Sequence, residues 1–321
     1  MAGSAKGPIY AAIAANTAIA ISKFIAAAIS GSSAMLSEGI HSLVDTGNGL
    51  LLLLGIRKAK KKPDAEHPLG HGKEIYFWSL VVAVLIFAIG GGMSFYEGIS
   101  HIQHPEPMGD PTMSYIVLVL AMVFEGAAMY LAVKSFNKTR KGRPFWRAIR
   151  TSKDPTGFAV IFEDGAALIG LVVALLGVYL GHTFQEPLYD GIASIVIGCI
   201  LTSISIILAV ESKALLIGES ADPEVRQGIS DIVIEAPEIS RVNPPITMHF
   251  GPEEVLLALD VEFKDDQTAD DIERVVQRLE AKIREQFPIV KRIFIEAKAL
   301  STPKNPADHP PVGDTREKPA G

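Results

Sequence analysis

Charged residues are distributed very unevenly along this chain of 321 residues. Asp, Glu, Lys and Arg make up 21% of the chain, below the roughly 25% of a typical soluble domain. A helix needs about 20 mostly apolar residues to cross a bilayer. Windows that meet or approach this length are 8–29, 34–56, 76–99, 113–134, 158–181 and 189–210. The pattern therefore predicts six transmembrane helices and excludes a single soluble globule.

The overall composition excludes several other classes of protein. The net charge of −6 argues against a nucleic-acid-binding protein. The single cysteine, Cys199, cannot form an internal disulfide framework. No cleavable signal peptide is indicated before the first window. We therefore expect a multi-pass protein of the bacterial inner (plasma) membrane.

Positive residues in the connections predict how the helices are oriented. They concentrate in two connections and are absent from the other three, at 31–33, 101–111 and 182–187. The basic residues are Arg57, Lys58, Lys60, Lys61 and Lys62 after the second window, and Lys134, Lys138, Arg140, Lys141, Arg143, Arg147, Arg150 and Lys153 after the fourth. Because Lys and Arg favour the cytoplasmic side, both chain termini are predicted to be cytoplasmic.

The pattern changes after the sixth window to that of a small α+β domain. Apolar residues recur at helical spacing in 223–235 and alternate as in strands at 246–249 and 255–263, with a Gly251-Pro252 turn between the strands. A second helix capped by Thr268 (268–287) and a closing strand (291–297) follow. The predicted domains are 1–210 (transmembrane transport), 211–299 (cytoplasmic αββαβ, for dimerisation or regulation) and 300–321 (disordered tail).

The second window contains polar residues that are costly inside a membrane. His41 and Asp45 are four residues apart and therefore share one helical face. Imidazole and carboxylate ligands together suit a divalent transition metal, zinc above all. A His–Asp hydrogen bond that only packs helices together is the alternative. Because intramembrane ionisable groups are functional candidates by default, a metal site is the hypothesis to test.

Acidic residues in other windows could complete such a site. In the fifth window, Asp164 is the predicted third ligand, and Glu163 precedes it on a different part of the helix surface. Glu125 lies deep in the fourth window and could handle protons or pair helices. Glu97 and Asp190 lie close to window ends and are interpreted as interfacial charges.

The connection after the second window contains a separate candidate site. Two histidines four residues apart, His67 and His71, follow the carboxylates of Asp64 and Glu66. These residue types suit a surface metal site. A solvated turn that binds nothing is the alternative interpretation.

Two motifs in this chain resemble those of the cation diffusion facilitators. LSEGIHSLVDTGN, from Leu36 to Asn48, looks like the motif of their second helix, and HPLGHGKE, from His67 to Glu74, resembles the motif before their third helix. Over about residues 8–298 the resemblance implies six transmembrane helices and a ferredoxin-like or metallochaperone-like αββαβ domain. It also implies a homodimer that exports divalent metal in exchange for protons. Membrane lipids and protons are the other expected partners, and no organic cofactor is expected.

The resemblance also assigns roles to residues. His41, Asp45 and Asp164 match the family's transport site, but Val160 stands where most members have another ligand. This departure resembles the branch that includes the mitochondrial-type zinc transporters, and leaves Glu163, Asn48 or water to complete the shell. Asp64, His67 and His71 match the family's second, interfacial site. In the cytoplasmic domain, the corresponding ligand positions fall on Asn243, Asp260 and Glu296, with His249 as its single histidine.

The expected function is therefore proton-coupled efflux of a divalent metal, and not an enzymatic activity. Zinc is the favoured substrate, with manganese, iron or cobalt as alternatives. A metal-binding scaffold that does not transport is one rival, favoured by the incomplete fifth-helix motif. An intramembrane metal-dependent hydrolase is the other, and it lacks an H-E-x-x-H helix.

Overall fold

The structure is a computed structural model that describes residues 6–105, 109–140, 142, 144–150 and 152–299. The chain divides into two compact units, the first ending at Glu219 and the second beginning at Ser220, with Phe250–Pro252 grouped with the first. The predicted tail, 300–321, lies outside the described residues.

Helices form the regular secondary structure of the first unit over its described residues up to Glu219. Its helices are α1 (Lys6–Ser30), α2 (Ser33–Ala59), α3 (Glu74–Leu85), α4 (Gly92–Gln103), α5 (Thr112–Thr139), α6 (Phe145–Arg150), α7 (Pro155–Phe184) and α8 (Leu188–Ile217). A π-helical segment, Ile86–Gly91, joins α3 to α4, so that Glu74–Gln103 forms one 30-residue span.

Five helices of the described chain are long and apolar enough to cross a membrane: α2, α3–α4, α5, α7 and α8. They confirm five of the six predicted spans. The sixth, over 8–29, coincides with α1, within which Asn16–Ser30 is an apolar helical segment. The sixth crossing therefore stays a prediction. Helix α8 continues past the predicted end of its window to Ile217, because Glu211 and Lys213 are good helix formers and only Gly218 (φ 122°) ends it.

Glycines bring α4 and α8 unusually close together. A Cβ on Gly98 would lie 2.7 Å from the carbonyl oxygen of Gly191, and a Cβ on Gly198 would lie 3.2 Å from that of Gly91. Small residues at a helix contact allow backbones to approach closely in membranes. The contact fixes α8 against the α3–α4 span.

Asp190 of α8 anchors the start of α2. It is 1% exposed and accepts hydrogen bonds from the Ser32 hydroxyl (2.7 Å), from the Ser33 amide (2.6 Å) and from the Ala34 amide (3.2 Å). The free amides at a helix N-terminus favour a negative charge. The interpretation of Asp190 as an interfacial charge was therefore wrong, because its carboxylate is buried against another helix.

Replacing Asp190 by Asn should lower the stability of the first unit. The amide group cannot accept from all these donors, and a buried donor left without a partner costs about 1–3 kcal/mol. We expect a lower melting temperature of the Asp190→Asn protein in detergent. The matched control is Glu186→Gln, at an exposed carboxylate just before α8. Equal melting temperatures for the two variants would contradict the anchoring role.

The second unit is an α+β domain. It contains α9 (Pro223–Ile234), β1 (Ile239–Val242), β2 (Ile246–Gly251), β3 (Glu254–Phe263), α10 (Ala269–Gln286) and β4 (Val290–Ala297). β3 is the central strand: it pairs with β2, antiparallel with β1 and parallel with β4. Alternate residues of β3, including Leu257 and Leu259, are buried with apolar residues of α9 and α10. The core therefore lies between one face of the sheet and the two helices.

The predicted order αββαβ was wrong in one element, because the structure has the additional strand β1. Ile239–Val242 is only four residues long and lies between Pro237 and the Asn243-Pro244-Pro245 segment, too short to show alternation. The predicted helix cap is confirmed: the Thr268 side chain accepts from the Asp271 amide, and the Asp271 side chain accepts from the Thr268 amide. The ferredoxin-like description stays a prediction.

Candidate metal centre

One face of α2 presents unused ligand atoms inside the first unit. His41 Nε2 lies 3.5 Å from Asp45 Oδ2, with the two side chains 2% and 17% exposed. Both ring nitrogens of His41, together with Asp45 Oδ1 and Asn48 Oδ1, are buried without a hydrogen-bond partner among the described residues. Buried polar atoms in proteins are normally hydrogen-bonded. These atoms are therefore candidates to bind a ligand.

Helix α7 supplies carboxylates that face this surface. Asn48 Nδ2 of α2 donates to Glu163 Oε1 at 3.3 Å, and Glu163 is 8% exposed. Asp164 Oδ2 is buried and has no hydrogen-bond partner in the described part of the chain. Asp45 lies within electrostatic reach of both Glu163 and Asp164. The structure therefore places Glu163 of α7 in contact with α2 through Asn48, with Asp164 next to it in the chain.

The groups of this site do not form a closed coordination shell. Among the described His, Cys, Asp and Glu residues, one group of three has ligand atoms all within 4.8 Å of one another, and it lies in the loop after α2. Val160, at the position of the missing ligand, is 38% exposed and cannot coordinate. Binding of a metal ion would therefore have to draw the carboxylates of α7 towards His41 and Asp45.

Two further charged groups lie near this site. Lys23 of α1 is fully buried, and its Nζ donates to Glu38 Oε2 at 2.9 Å and to Ser42 Oγ at 2.7 Å. Glu125 of α5 lies within electrostatic reach of Asp45 and Asp164. In each case the sequence shows a charged residue in an apolar window, but it does not show which residue of another helix lies near that charge.

The loop after α2 forms the compact cluster. His67 Nδ1 lies 3.3 Å from Asp64 Oδ1, and His71 Nε2 lies 3.0 Å from Asp64 Oδ2. Hydrogen bonds from Lys61, from His71 and from the His67 amide hold the pKa of Asp64 well below its usual range. Asp64 therefore stays ionised, as a metal ligand must. The geometry agrees with the predicted ligand set, and metal binding at the cluster stays a prediction.

Replacing Asp64 by Asn should weaken metal binding in this loop while leaving the membrane site intact. The change removes the one carboxylate that contacts both histidines, and loss of a direct ligand should weaken zinc binding by at least the ~10–100-fold typical of outer-shell changes. Isothermal titration of the full chain with zinc should lose one class of sites. Asp110→Asn, at a loop carboxylate that accepts hydrogen bonds from the Thr112 amide and hydroxyl, is the control. An unchanged number of sites in Asp64→Asn would refute the assignment.

The candidates in the second unit do not form a single cluster. His249 is 3% exposed and lies on the helix-facing side of β2, whereas Asp260 and Glu296 are paired neighbours on the other face of the sheet. Asn243 Nδ2 donates to Asp260 at 3.2 Å. Lys298 Nζ lies 2.9 Å from Asp260 Oδ2 and 3.2 Å from Glu296 Oε2. The Lys298 ammonium group thus contacts both carboxylates, and His249 lies apart from them on the other face.

Known proteins resemble this chain over most of its length. Residues 9–217 match the family description "Cation efflux transmembrane domain". The chain is 34% identical over 263 residues to the human and mouse proteins named "Proton-coupled zinc antiporter SLC30A9, mitochondrial", covering 80% of this chain and 46% of each relative. It therefore spans about half the length of these relatives.

A bacterial relative is covered almost completely. The chain is 25% identical over 291 residues to the "Manganese efflux system protein MneP" of Bacillus subtilis, which covers 88% of this chain and 92% of that protein. The family match extends over the five described spans and includes the polar faces of α2 and α7. The chain therefore belongs to the cation efflux family, the cation diffusion facilitators.

Proposed function

We propose that this protein exports a divalent metal ion across a membrane in exchange for protons, with zinc as the favoured substrate. The observation that carries the proposal is the set of unused ligand atoms on α2, at His41 and Asp45, facing Glu163 and Asp164 on α7. Ionisable groups are rare within spanning helices and mark ion pathways. Family membership supports the same function.

Competition for the same atoms would couple metal to protons. A metal ion requires a neutral imidazole and ionised carboxylates, so binding displaces protons and protonation displaces metal. His41, Asp45 and Asp164 would form the core of the site, with Glu163 or Asn48 completing it. If α2 and α7 expose this site to each side of the membrane in turn, the exchange becomes antiport by alternating access.

The ligand atoms of this site are compatible with more than one divalent metal ion. His41 supplies nitrogen and suits zinc, iron or cobalt, whereas the oxygen atoms of Asp45, Glu163 and Asp164 also suit manganese. The names of the relatives include both zinc and manganese: the human relative is named a zinc antiporter, and the Bacillus subtilis relative is named a manganese efflux protein. Zinc is preferred in this proposal because a buried imidazole is paired with a carboxylate on one helical face.

The arrangement in the cell is part of the proposal. We place both termini on the cytoplasmic side of six crossings, an orientation that the basic connections after α2 and α5 support, and a bacterial inner (plasma) membrane is the proposed location. A homodimer is supported by apolar side chains on the open face of the sheet in the second unit, where Ile246 is 64% and Phe294 57% exposed. Exposed apolar patches mark interaction surfaces, so we propose this face of the sheet as the contact between two copies of the chain.

A single measurement tests the proposed function. Wild-type protein in proteoliposomes with a pH-sensitive dye inside should show proton flux when zinc, manganese, iron or cobalt is added, with one metal preferred. A protein that binds zinc without any flux would instead be the non-transporting scaffold that Val160 favours. Release of a hydrolysis product from a peptide or ester substrate would identify the enzyme alternative.

A further inference from the structure

The ion pair between Lys23 and Glu38 lies fully inside the helical unit. Both side chains are 0% exposed, and Nζ–Oε2 is 2.9 Å. Lys23 Nζ also donates to Ser42 Oγ at 2.7 Å. A buried charge is costly unless it is paired, so each member of this pair requires the other. Together they carry no net charge.

The pair continues the ligand-bearing face of α2. Glu38, Ser42 and Asp45 follow at helical positions i, i+4 and i+7, which share one face. Lys23 lies within electrostatic reach of His41, Asp45 and Glu125. The ion pair therefore lies along the face of α2 that carries Asp45, with Lys23 in contact with Ser42, the residue next to His41.

The second oxygen of Glu38 is unused. Glu38 Oε1 is buried without a hydrogen-bond partner among the residues described. It lies against α7, where a Cβ on Gly170 would be only 2.4 Å away. Glu38 is thus a carboxylate between the two site helices with one oxygen held by Lys23 and one oxygen free. Without the lysine, it would be a further anionic ligand within the same bundle.

We propose that Lys23 is a fixed counter-cation of the metal site, which holds Glu38 as a structural carboxylate and keeps the affinity for a divalent cation low enough for release. The inference rests on the proposed function. A site that conducts ions must bind them strongly enough to admit them and weakly enough to release them. Because Lys23 neutralises Glu38, this carboxylate adds no net attraction for the cation, which acts in the second direction.

Variants that change the charge of the pair test this role. Lys23→Met should bind zinc about tenfold more tightly than the wild type and transport it more slowly, since Glu38 becomes an unneutralised carboxylate near the site. Glu38→Gln leaves the lysine unopposed and should weaken zinc binding about tenfold. The double variant Lys23→Met/Glu38→Gln restores the net charge of the pair and should bind with nearly wild-type affinity.

The measurements are zinc affinity by titration of the full chain in detergent and metal-driven proton flux in proteoliposomes. Lys213→Met is the matched control, because Lys213 is an exposed lysine of α8, and the zinc affinity of this variant should not change. If the ion pair only stabilises the packing of α1 on α2, both single variants melt at lower temperature with unchanged zinc affinity, and the inference is overturned.

The outcomes also separate this inference from the proposed function. Absence of both metal binding and flux in the wild type would overturn the proposed function and the inference with it. Wild-type flux together with unshifted affinities in both single variants would overturn the inference alone. Should Lys23→Met fail to fold, Glu38→Gln distinguishes the two roles. A purely structural ion pair predicts no change in its zinc affinity, whereas the counter-cation role predicts a loss.

Discussion

Replacing Asp45 by Asn is expected to abolish metal-driven proton flux. Asp45 provides the carboxylate next to His41 on α2, and its Oδ1 is buried without a hydrogen-bond partner among the described residues. Changes in the outer shell of a metal site cost about 10–100-fold in affinity or activity, so loss of a direct ligand should reduce flux by at least about 100-fold. The substitution keeps the shape of the side chain and removes its charge.

A folded protein is required to interpret that loss. The Asp45→Asn variant should elute from a sizing column like the wild type, because the carboxylate makes no hydrogen bond that holds two helices together in the described structure. Asp110→Asn, at a carboxylate outside the spans that accepts hydrogen bonds from Thr112, is the control and should keep full flux. Flux above a tenth of the wild-type rate in Asp45→Asn would remove Asp45 from the site.

The sequence singles out the candidate site residues because polar residues contrast with their apolar surroundings. In a window of apolar residues, His41, Asp45 and Asp164 are conspicuous, since each would be costly without a function or a partner. Helical spacing then places His41 and Asp45 on one face, as observed. The loop cluster of Asp64, His67 and His71, which the structure brings together, is predicted instead from the spacing of the two histidines and the carboxylates beside them.

The pairing of residues between helices could not be predicted in this way. Lys23 and Glu38 are visible as charges in apolar windows, but which helix each one contacts depends on how α1 and α2 pack. Asp190 looks like an interfacial charge because it lies near the end of its window, and only the packing of α8 on α2 buries it. Contacts of this kind are tertiary, and helical periodicity describes one helix at a time.

The second unit shows a different limit of prediction from the sequence. Rough alignment with the family brought Asn243, Asp260 and Glu296 into one region, and the structure places all three there. It did not anticipate Lys298, which lies within 3.2 Å of both carboxylates. A single lysine after the last strand carries no periodic signal, yet it changes the electrostatics of the cluster.

Glu163 is expected to be the group that replaces the ligand missing at Val160. It is 8% exposed, lies next to Asp164 on α7, and contacts Asn48 of α2 through a 3.3 Å hydrogen bond. Glu163→Gln should therefore weaken metal binding and reduce flux by about tenfold or more, as expected for a group that ligates or orients a ligand. The measurements are zinc affinity in detergent and metal-driven proton flux in proteoliposomes.

A second substitution makes the test specific to the ligand. Val160 lies four residues before Asp164 and thus on the same face of α7, so Val160→Asp in the Glu163→Gln background should restore part of the lost affinity. Glu97→Gln, the same chemical change at a half-buried carboxylate of α4, should leave affinity unchanged. Full affinity in Glu163→Gln would instead assign the remaining position to Asn48 or water. In that case Asn48→Ala should show the loss that Glu163→Gln did not, because Asn48 Oδ1 is buried beside the same carboxylates with no partner among the described groups.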